Sequence, residues 1–417
     1  MATIVISGTG THGDHLPYIA LGAALRSRGH RVKMAFRKSM HSYVLKAGLE
    51  AIDYGQELTA DQARQDAKDW DHWEPPQTSF ADQATSMEAF LRNDLPQLYH
   101  QALAICADAD LFIGGLQRHI VGSMLHHKLG LPWVAASVTP FFLCTDSGQP
   151  SSNQRAIRQF FLSVLEEVGQ ELGLEGMNWL DYEHNDHALL GSSQHFSQPT
   201  LENAHYQQTG FWFYEDPAWK TWQPDPILQA FVEQEPKPLF LSFSSIPVTN
   251  PRAVLEVHVR AAAKLGRRLL VHRGWANFNE SLLPDDCDRE AVMFVDFMPQ
   301  DWILSHAAAF LNHGGVGSIA RSLRNDCPML IEPLGNDQFF NAKRILALQV
   351  GAAAHPHKIT PDSLAKILEN KVLSPSVKQK TQALGAKMRT ENGAENACKL
   401  LESWLSQSSD NDQIPTF

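Results

Sequence analysis

Short apolar runs separated by helical stretches recur along this chain, and that alternation narrows its fold more than any other feature. In the first half, runs at residues 3–7, 31–36, 49–54, 110–114 and 133–138 read as buried strands. Between the first two lies a helix with Leu16, Ile19, Ala20, Ala23 and Ala24 on one stripe, closed by Gly29. Strand, helix, strand is the unit of a parallel sheet, so the pattern predicts a doubly wound α/β domain. A second alternation begins at Pro238, with strands over 239–244, 268–272, 291–295, 307–312 and 329–332 and a helix over 252–265. Between the two, Glu215 to Pro226 is rich in proline and tryptophan, breaks both rhythms and reads as a linker. We expect two domains, 1–216 and 217–393, with loops and helices over 70–90 and 141–186 covering the rim of the first sheet. The tail 406–417 reads as disordered.

Composition limits the partners. A formal charge of −11 argues against nucleic acid, which selects a basic face. No apolar run approaches the roughly 18 residues needed to span a bilayer. The first residues form a strand without the basic start of a signal peptide, so a cytoplasmic protein is expected. Five scattered cysteines fit reduced thiols better than a disulfide framework or a zinc site.

The chemistry concentrates between Val295 and Ala342. There a strand opens into His313-Gly-Gly-Val-Gly-Ser318, with a helix expected from about Val316. A helix N-terminus presents free N–H groups and a positive dipole end, so Gly314, Gly315, Gly317 and Ser318 form a phosphate cradle. His313 stands at its lip, placed to add a charge-assisted hydrogen bond. Asp337 and Gln338 follow the next strand, at the rim where α/β sheets bind ligands. An anion site beside an acid and an amide suits a nucleoside diphosphate joined to a polyhydroxyl group. The N-terminal Gly8-Thr-Gly10-Thr-His-Gly13 also matches a dinucleotide fingerprint. The second strand then ends in Arg37-Lys38 where an acid would hold the ribose, which leaves an NADP-dependent oxidoreductase as a competing reading. Asp14, at the start of the first helix, reads either as an N-cap or as a base. His12 and His15 flank it at a His-x-x-His spacing, but no further ligand cluster accompanies them, and no metal is expected.

The order of these parts resembles the donor signature of the family 1, nucleotide-sugar-dependent glycosyltransferases, in the style of the antibiotic and sterol branches. The matching pieces are Phe297-Met298-Pro299-Gln300, His306, His313 to Ser318, Cys327-Pro328, Pro333, and Asp337-Gln338 with Asn341-Ala342. The resemblance implies a GT-B fold: two Rossmann-like doubly wound domains facing across a cleft, with helix 394–405 crossing back to the first. It implies an inverting, metal-independent transfer from a UDP- or dTDP-sugar to a hydroxyl, with no cofactor beyond that co-substrate. Asp14, three residues before Pro17, takes the place of the catalytic base, and His12 is its reserve or its orienting partner. Ser245 then contacts the diphosphate. Phe297 stacks on the base, Gln300 reads the base or ribose, and Trp275 borders the donor or packs in the core.

Two departures from the family pattern bear on the donor. Ser244 replaces a usual glycine, and Arg321 stands where many members hold the ribose with glutamate, leaving uridine and thymidine both open. The resemblance places acceptors in the first domain, where Phe80, Phe90 and Phe141, within a pool including Trp70, Trp73, Met87, Phe142 and Trp179, suit an apolar acceptor such as a polyketide, sterol or terpenoid, phenolic or lipid. Attack by carbon, peripheral membrane contact, and a non-catalytic or epimerase relative of the fold stay open, as does the oligomeric state.

Overall fold

The computed structural model describes residues 1–57, 61, 80–144, 152–179, 185–296, 298–335 and 337–411. They divide into two compact units, one built from residues 1–57, 80–217 and 392–411 and the other from 218–391. Each is organised around one parallel sheet.

In the first unit the strands are β1 Thr3–Ser7, β2 Arg31–Phe36, β3 Glu50–Asp53, β4 Leu111–Gly114, β5 Trp133–Ser137, β6 Ala188–Leu190 and β7 Tyr206–Gln208. They lie in the order β3-β2-β1-β4-β5-β6-β7, every neighbour parallel. Burial on both faces makes β1 a continuous apolar run and β2 one broken only by Lys33, which is why the sequence shows them clearly. Strands β6 and β7 escaped the sequence reading. Each has three residues, and Tyr206-Gln-Gln208 is a polar edge whose pairing owes nothing to propensity.

The first helix spans His12–Ser27 and buries Tyr18, Ile19, Leu21 and Leu25 more completely than the expected stripe. It faces β2 on one side and the final helix, Gly393–Asn411, on another, so its apolar surface is wider than one stripe. That final helix passes the expected end at Leu405 and continues through Asn411. Its apolar first half drives this: Ala397, Cys398 and Leu401 are fully buried in the cluster holding Ile4, Leu21 and Val32. Arg28 pairs with Glu395 and Glu402 at the edge, an exposed network that adds little. Leu401→Ala should therefore cost about 2–5 kcal/mol in denaturant unfolding, as buried truncations do, whereas Glu395→Ala should leave the midpoint nearly unchanged.

In the second unit, β8 Leu239–Ser242, β9 Leu269–His272, β10 Val292–Val295, β11 Ala309–Asn312, β12 Met329–Ile331 and β13 Gly351–Ala353 take the order β10-β9-β8-β11-β12-β13. All neighbours are parallel. Gly351-Ala-Ala353 has no β-branched residue, so β13 was invisible in the sequence. Between β8 and β11 the strand order reverses, and Ser242 and Asn312 are register partners at that point. Open α/β sheets bind ligands beyond the carboxyl ends of their strands at such reversals.

Candidate functional site

In the second unit, the glycine-rich turn follows β11 directly. Its helix is Val316–Arg324, with Gly315 in the N-cap position and no side chain capping it. Gly314 is buried, whereas residues 315–318 reach the surface, so the uncapped N–H groups face outward. Two asparagines shape the turn. Asn312 Oδ1 accepts from the Gly314 N–H at 2.9 Å, and Asn341 Nδ2 donates to the Gly314 carbonyl at 2.9 Å. Gly314 has φ +95°, and a Cβ there would lie 2.6 Å from Ile331 Cγ2. Gly314→Ala should therefore destabilise the unit by more than about 1 kcal/mol. Gly317→Ala, in open helical space, should melt at or above the wild-type temperature.

His313 is buried, and among the described residues its Nδ1 has no hydrogen-bond partner. Its Nε2 crowds Gly315, where a Cβ would come within 2.5 Å. Burial pushes the ring down to about 4, so the imidazole is neutral near pH 7. The charge in the expected charge-assisted bond is thus absent from the resting site and has to be induced by an arriving anion.

The other expected donor residues lie in the same unit. Ser244 has φ +53°, a left-handed conformation that costs a non-glycine residue on the order of 1 kcal/mol, and its carbonyl accepts from the Trp275 N–H at 2.9 Å. Ser245 and Trp275 are half-buried, Trp275 on a turn at Gly274, where a Cβ would meet the Ser244 carbonyl at 2.5 Å. Gln300 opens helix Gln300–His306 and is half-buried. Phe297 lies outside the described residues. Asp337 occupies the N-cap position of helix Gln338–Leu348 without capping it; its carboxylate accepts from Asn341 Nδ2 at 3.1 Å. Gln338 is buried, and its Oε1 accepts from the N–H groups of Leu334 at 2.8 Å and Gly335 at 3.3 Å. The carbonyl end of Gln338 therefore shapes the loop.

Arg321 has its own partners inside the unit. It is buried, donates to Asp301 and lies 5.4 Å over the ring of Trp219. The residue standing in place of a ribose-binding glutamate thus ties helix Val316–Arg324 to helix Gln300–His306.

In the first unit, Thr11 is the N-cap of the first helix and Asp14 is its third residue, not the cap. The Thr11 N–H and Oγ1 donate to Asp14 Oδ2 at 2.6 and 3.1 Å, forming a capping box. Both bonds fall on one oxygen, leaving Oδ1 unclaimed by any other described residue. Gly10 has φ +113°, and a Cβ there would sit 2.3 Å from the Asp14 carboxylate, so the glycine makes room for it. Burial raises the pKa of Asp14, and the Thr11 hydrogen bonds and the charge of Arg37 oppose that rise. Part of its surface nevertheless stays open.

His12 stands two residues before Asp14, on a different side of the helix, so Thr11 supplies the orientation expected of it. The His12 ring meets the Tyr43 edge at 5.6 Å; burial, then Arg37, lowers its pKa. His15 is structural: its Nδ1 bonds the Thr11 carbonyl at 2.9 Å, and its ring packs on Phe36. Arg37, the residue behind the NADP reading, is buried and donates to the Gly10 carbonyl. It supports the loop from beneath rather than meeting a 2′-phosphate.

The expected acceptor residues divide. Phe90 and Met87 are half-buried and pack against the core cluster of Leu91 and Leu95, and Trp179 is buried in that cluster. Phe141 begins helix Phe141–Cys144 and is half-buried. The side chains of Phe80 and Phe142, together with Trp70 and Trp73, lie outside the described residues. Among the described residues no helix is long and apolar enough to cross a membrane.

Comparison with known proteins places these units. Residues 4–145 match the glycosyltransferase family 28 N-terminal domain, and residues 279–402 match the C-terminal domain of erythromycin biosynthesis protein CIII-like proteins. The chain is 26% identical to a sterol 3-beta-glucosyltransferase of Arabidopsis thaliana, over 99% of its own length and 67% of the relative's. It spans far less of the fungal sterol 3-beta-glucosyltransferases it matches, 26% of the one from Debaryomyces hansenii. To the O-mycaminosyltylonolide 6-deoxyallosyltransferase of Streptomyces fradiae it is 27% identical, over 96% of this chain and 97% of that one. Among solved structures, the glycotransferase of kitacinnamycin superposes with a TM-score of 0.74 at 20% identity, covering 96% of this chain and 98% of that chain. Two parallel-sheet units, the glycine cradle after β11 and both domain matches agree: the chain belongs to the glycosyltransferases of GT-B architecture.

Proposed function

We propose that this protein transfers a sugar from a UDP- or dTDP-sugar to a hydroxyl of an apolar alcohol, with inversion at the anomeric carbon. The observation that carries the donor half is the uncapped N-terminus of helix Val316–Arg324 beside the unpartnered Nδ1 of buried His313. As the glycosidic bond breaks, negative charge grows on the departing diphosphate. Fixed N–H dipoles and a histidine ready to take up charge stabilise that state more than the ground state. In this reading the cradle performs the neutralisation a divalent cation supplies elsewhere. Asp337 and the amide of Gln338 hold the sugar hydroxyls, and Asp14 takes the acceptor's proton as its oxygen attacks.

The relatives' names support the acceptor class: one is a sterol 3-beta-glucosyltransferase and another an O-mycaminosyltylonolide 6-deoxyallosyltransferase. The test offers the purified protein UDP-glucose and dTDP-glucose with cholesterol, ergosterol and tylonolide-type macrolides, and follows products by mass spectrometry and proton NMR. A glycosylated product, with its anomeric proton coupling opposite in configuration to the donor's, is expected. Nucleotide binding without transfer to any alcohol, or a product retaining the donor's configuration, would count against the proposal.

A further inference from the structure

Behind the cradle, two titratable residues meet in the core of the second unit. His258 sits in the middle of helix Pro251–Lys264, Glu332 directly follows β12, and each is 1% exposed. His258 Nε2 lies 2.7 Å from Glu332 Oε1, and His258 Nδ1 lies 2.7 Å from the Val254 carbonyl. A carbonyl only accepts, so Nδ1 carries a hydrogen, and the second proton is shared between Nε2 and the carboxylate. The two side chains therefore form one closed hydrogen-bonded unit. A cavity of about 260 Å³, walled by Phe243, Val257, Leu334 and Ile359, opens beside them, so on that side the hydrogen bond rather than packing fixes Glu332.

From Glu332 the bonds continue into both halves of the donor site. Its N–H donates to the Asn312 carbonyl at 2.8 Å, and Asn312 Oδ1 holds the Gly314 N–H. Two residues further along the chain, the Leu334 N–H is held by Gln338. Glu332 thus stands where the phosphate turn and the sugar-facing loop share one anchor.

We propose that His258 and Glu332 are positioning residues for the donor, locking the 312–318 turn and the 332–338 loop into one arrangement. The proposal rests on the donor-site reading above. Its test compares the wild type, the apolar double variant His258→Leu/Glu332→Leu, Glu332→Ala and Glu332→Gln. The double variant removes both polar groups at once and should fold, since a buried pair replaced by apolar residues is commonly tolerated. Glutamine keeps an amide able to bond the imidazole.

Hydrogen exchange of segments 312–318 and 332–338 is measured without nucleotide, followed by UDP and dTDP affinity and the KM for donor and acceptor. Faster exchange in those two segments is expected in the leucine and alanine variants, with β9 unchanged. Donor KM should rise about tenfold, in the range of coupling within one network, with acceptor KM unchanged, and Glu332→Gln should resemble the wild type. Wild-type exchange in the leucine and alanine variants, or a loss that glutamine does not rescue, overturns the positioning role. A wild type that binds neither nucleotide overturns the donor reading instead, and the exchange comparison still decides whether the pair orders the two segments.

Discussion

His313→Ala is expected to abolish measurable UDP and dTDP binding in calorimetry and to lower kcat by ~10²–10³, the usual loss when one donor to a developing anion is removed. The reasoning begins with burial. His313 is enclosed with an unpartnered Nδ1, and burial holds the ring at about 4. A site in that condition favours an anion twice over: the arriving charge satisfies an orphan nitrogen and raises the ring's affinity for a proton. Nucleotide affinity should therefore strengthen as pH falls towards the pKa of the liganded ring. His313→Asn, which keeps a neutral N–H, should retain part of the affinity but lose that pH dependence. Stability carries the opposite sign. A histidine held below its unfolded value binds fewer protons when folded, so its contribution is lost as pH drops from about 6.5 towards 4. His15 and His119, also held at about 4 by burial, add to the same acid instability. Unchanged nucleotide affinity in His313→Ala would remove the central support of the donor site.

How far the sequence exposed all this depends on the range of the interactions. Strands β1, β2, β4 and β5 were legible because they are buried runs with bounded ends, and β8 to β12 followed for the same reason. Strands β6, β7 and β13 were not, since three residues (Ala-Leu-Leu, Tyr-Gln-Gln and Gly-Ala-Ala) are too few to show a period of their own. The cradle was legible because backbone chemistry demands glycines at fixed offsets. Thr11 was overlooked although Thr-His-Gly-Asp carries a capping-box signal. Asn341 was read as part of a motif, and only the fold shows it gripping the Gly314 carbonyl. Asp301 meets Arg321 across twenty positions and Glu332 meets His258 across seventy-four, separations at which spacing carries no information. Trp179 shows the opposite case: a large apolar residue in an irregular stretch suggests a binding wall, yet it is buried in the core.

Asp14→Asn should reduce kcat by ~10²–10⁴ without unfolding the first unit, because a positioned base is worth about that much. Asparagine is nearly the same size, and its Oδ1 can still accept from the Thr11 N–H, so the capping box and the space under Gly10 persist. Burial is the largest influence on Asp14 and raises its pKa, so folding disfavours its charged form. The substitution should accordingly cost little stability, because it removes a carboxyl whose charged form burial opposes. The same shift places the acid limb of the wild-type rate above the ordinary carboxylate range. Activity should fall as pH drops through that pKa, and the residual activity of Asp14→Asn should lack the limb. Thr11→Val removes only the hydroxyl bond and should cost less than Asp14→Asn. His12→Gln separates the two candidate bases, since its ring lies on another side of the helix against Tyr43. A small effect at His12 with a large one at Asp14 assigns the proton to the carboxylate that Thr11 orients. The reverse pattern would make His12 the base and leave Asp14 as the capping-box partner of Thr11 in the helix presenting it.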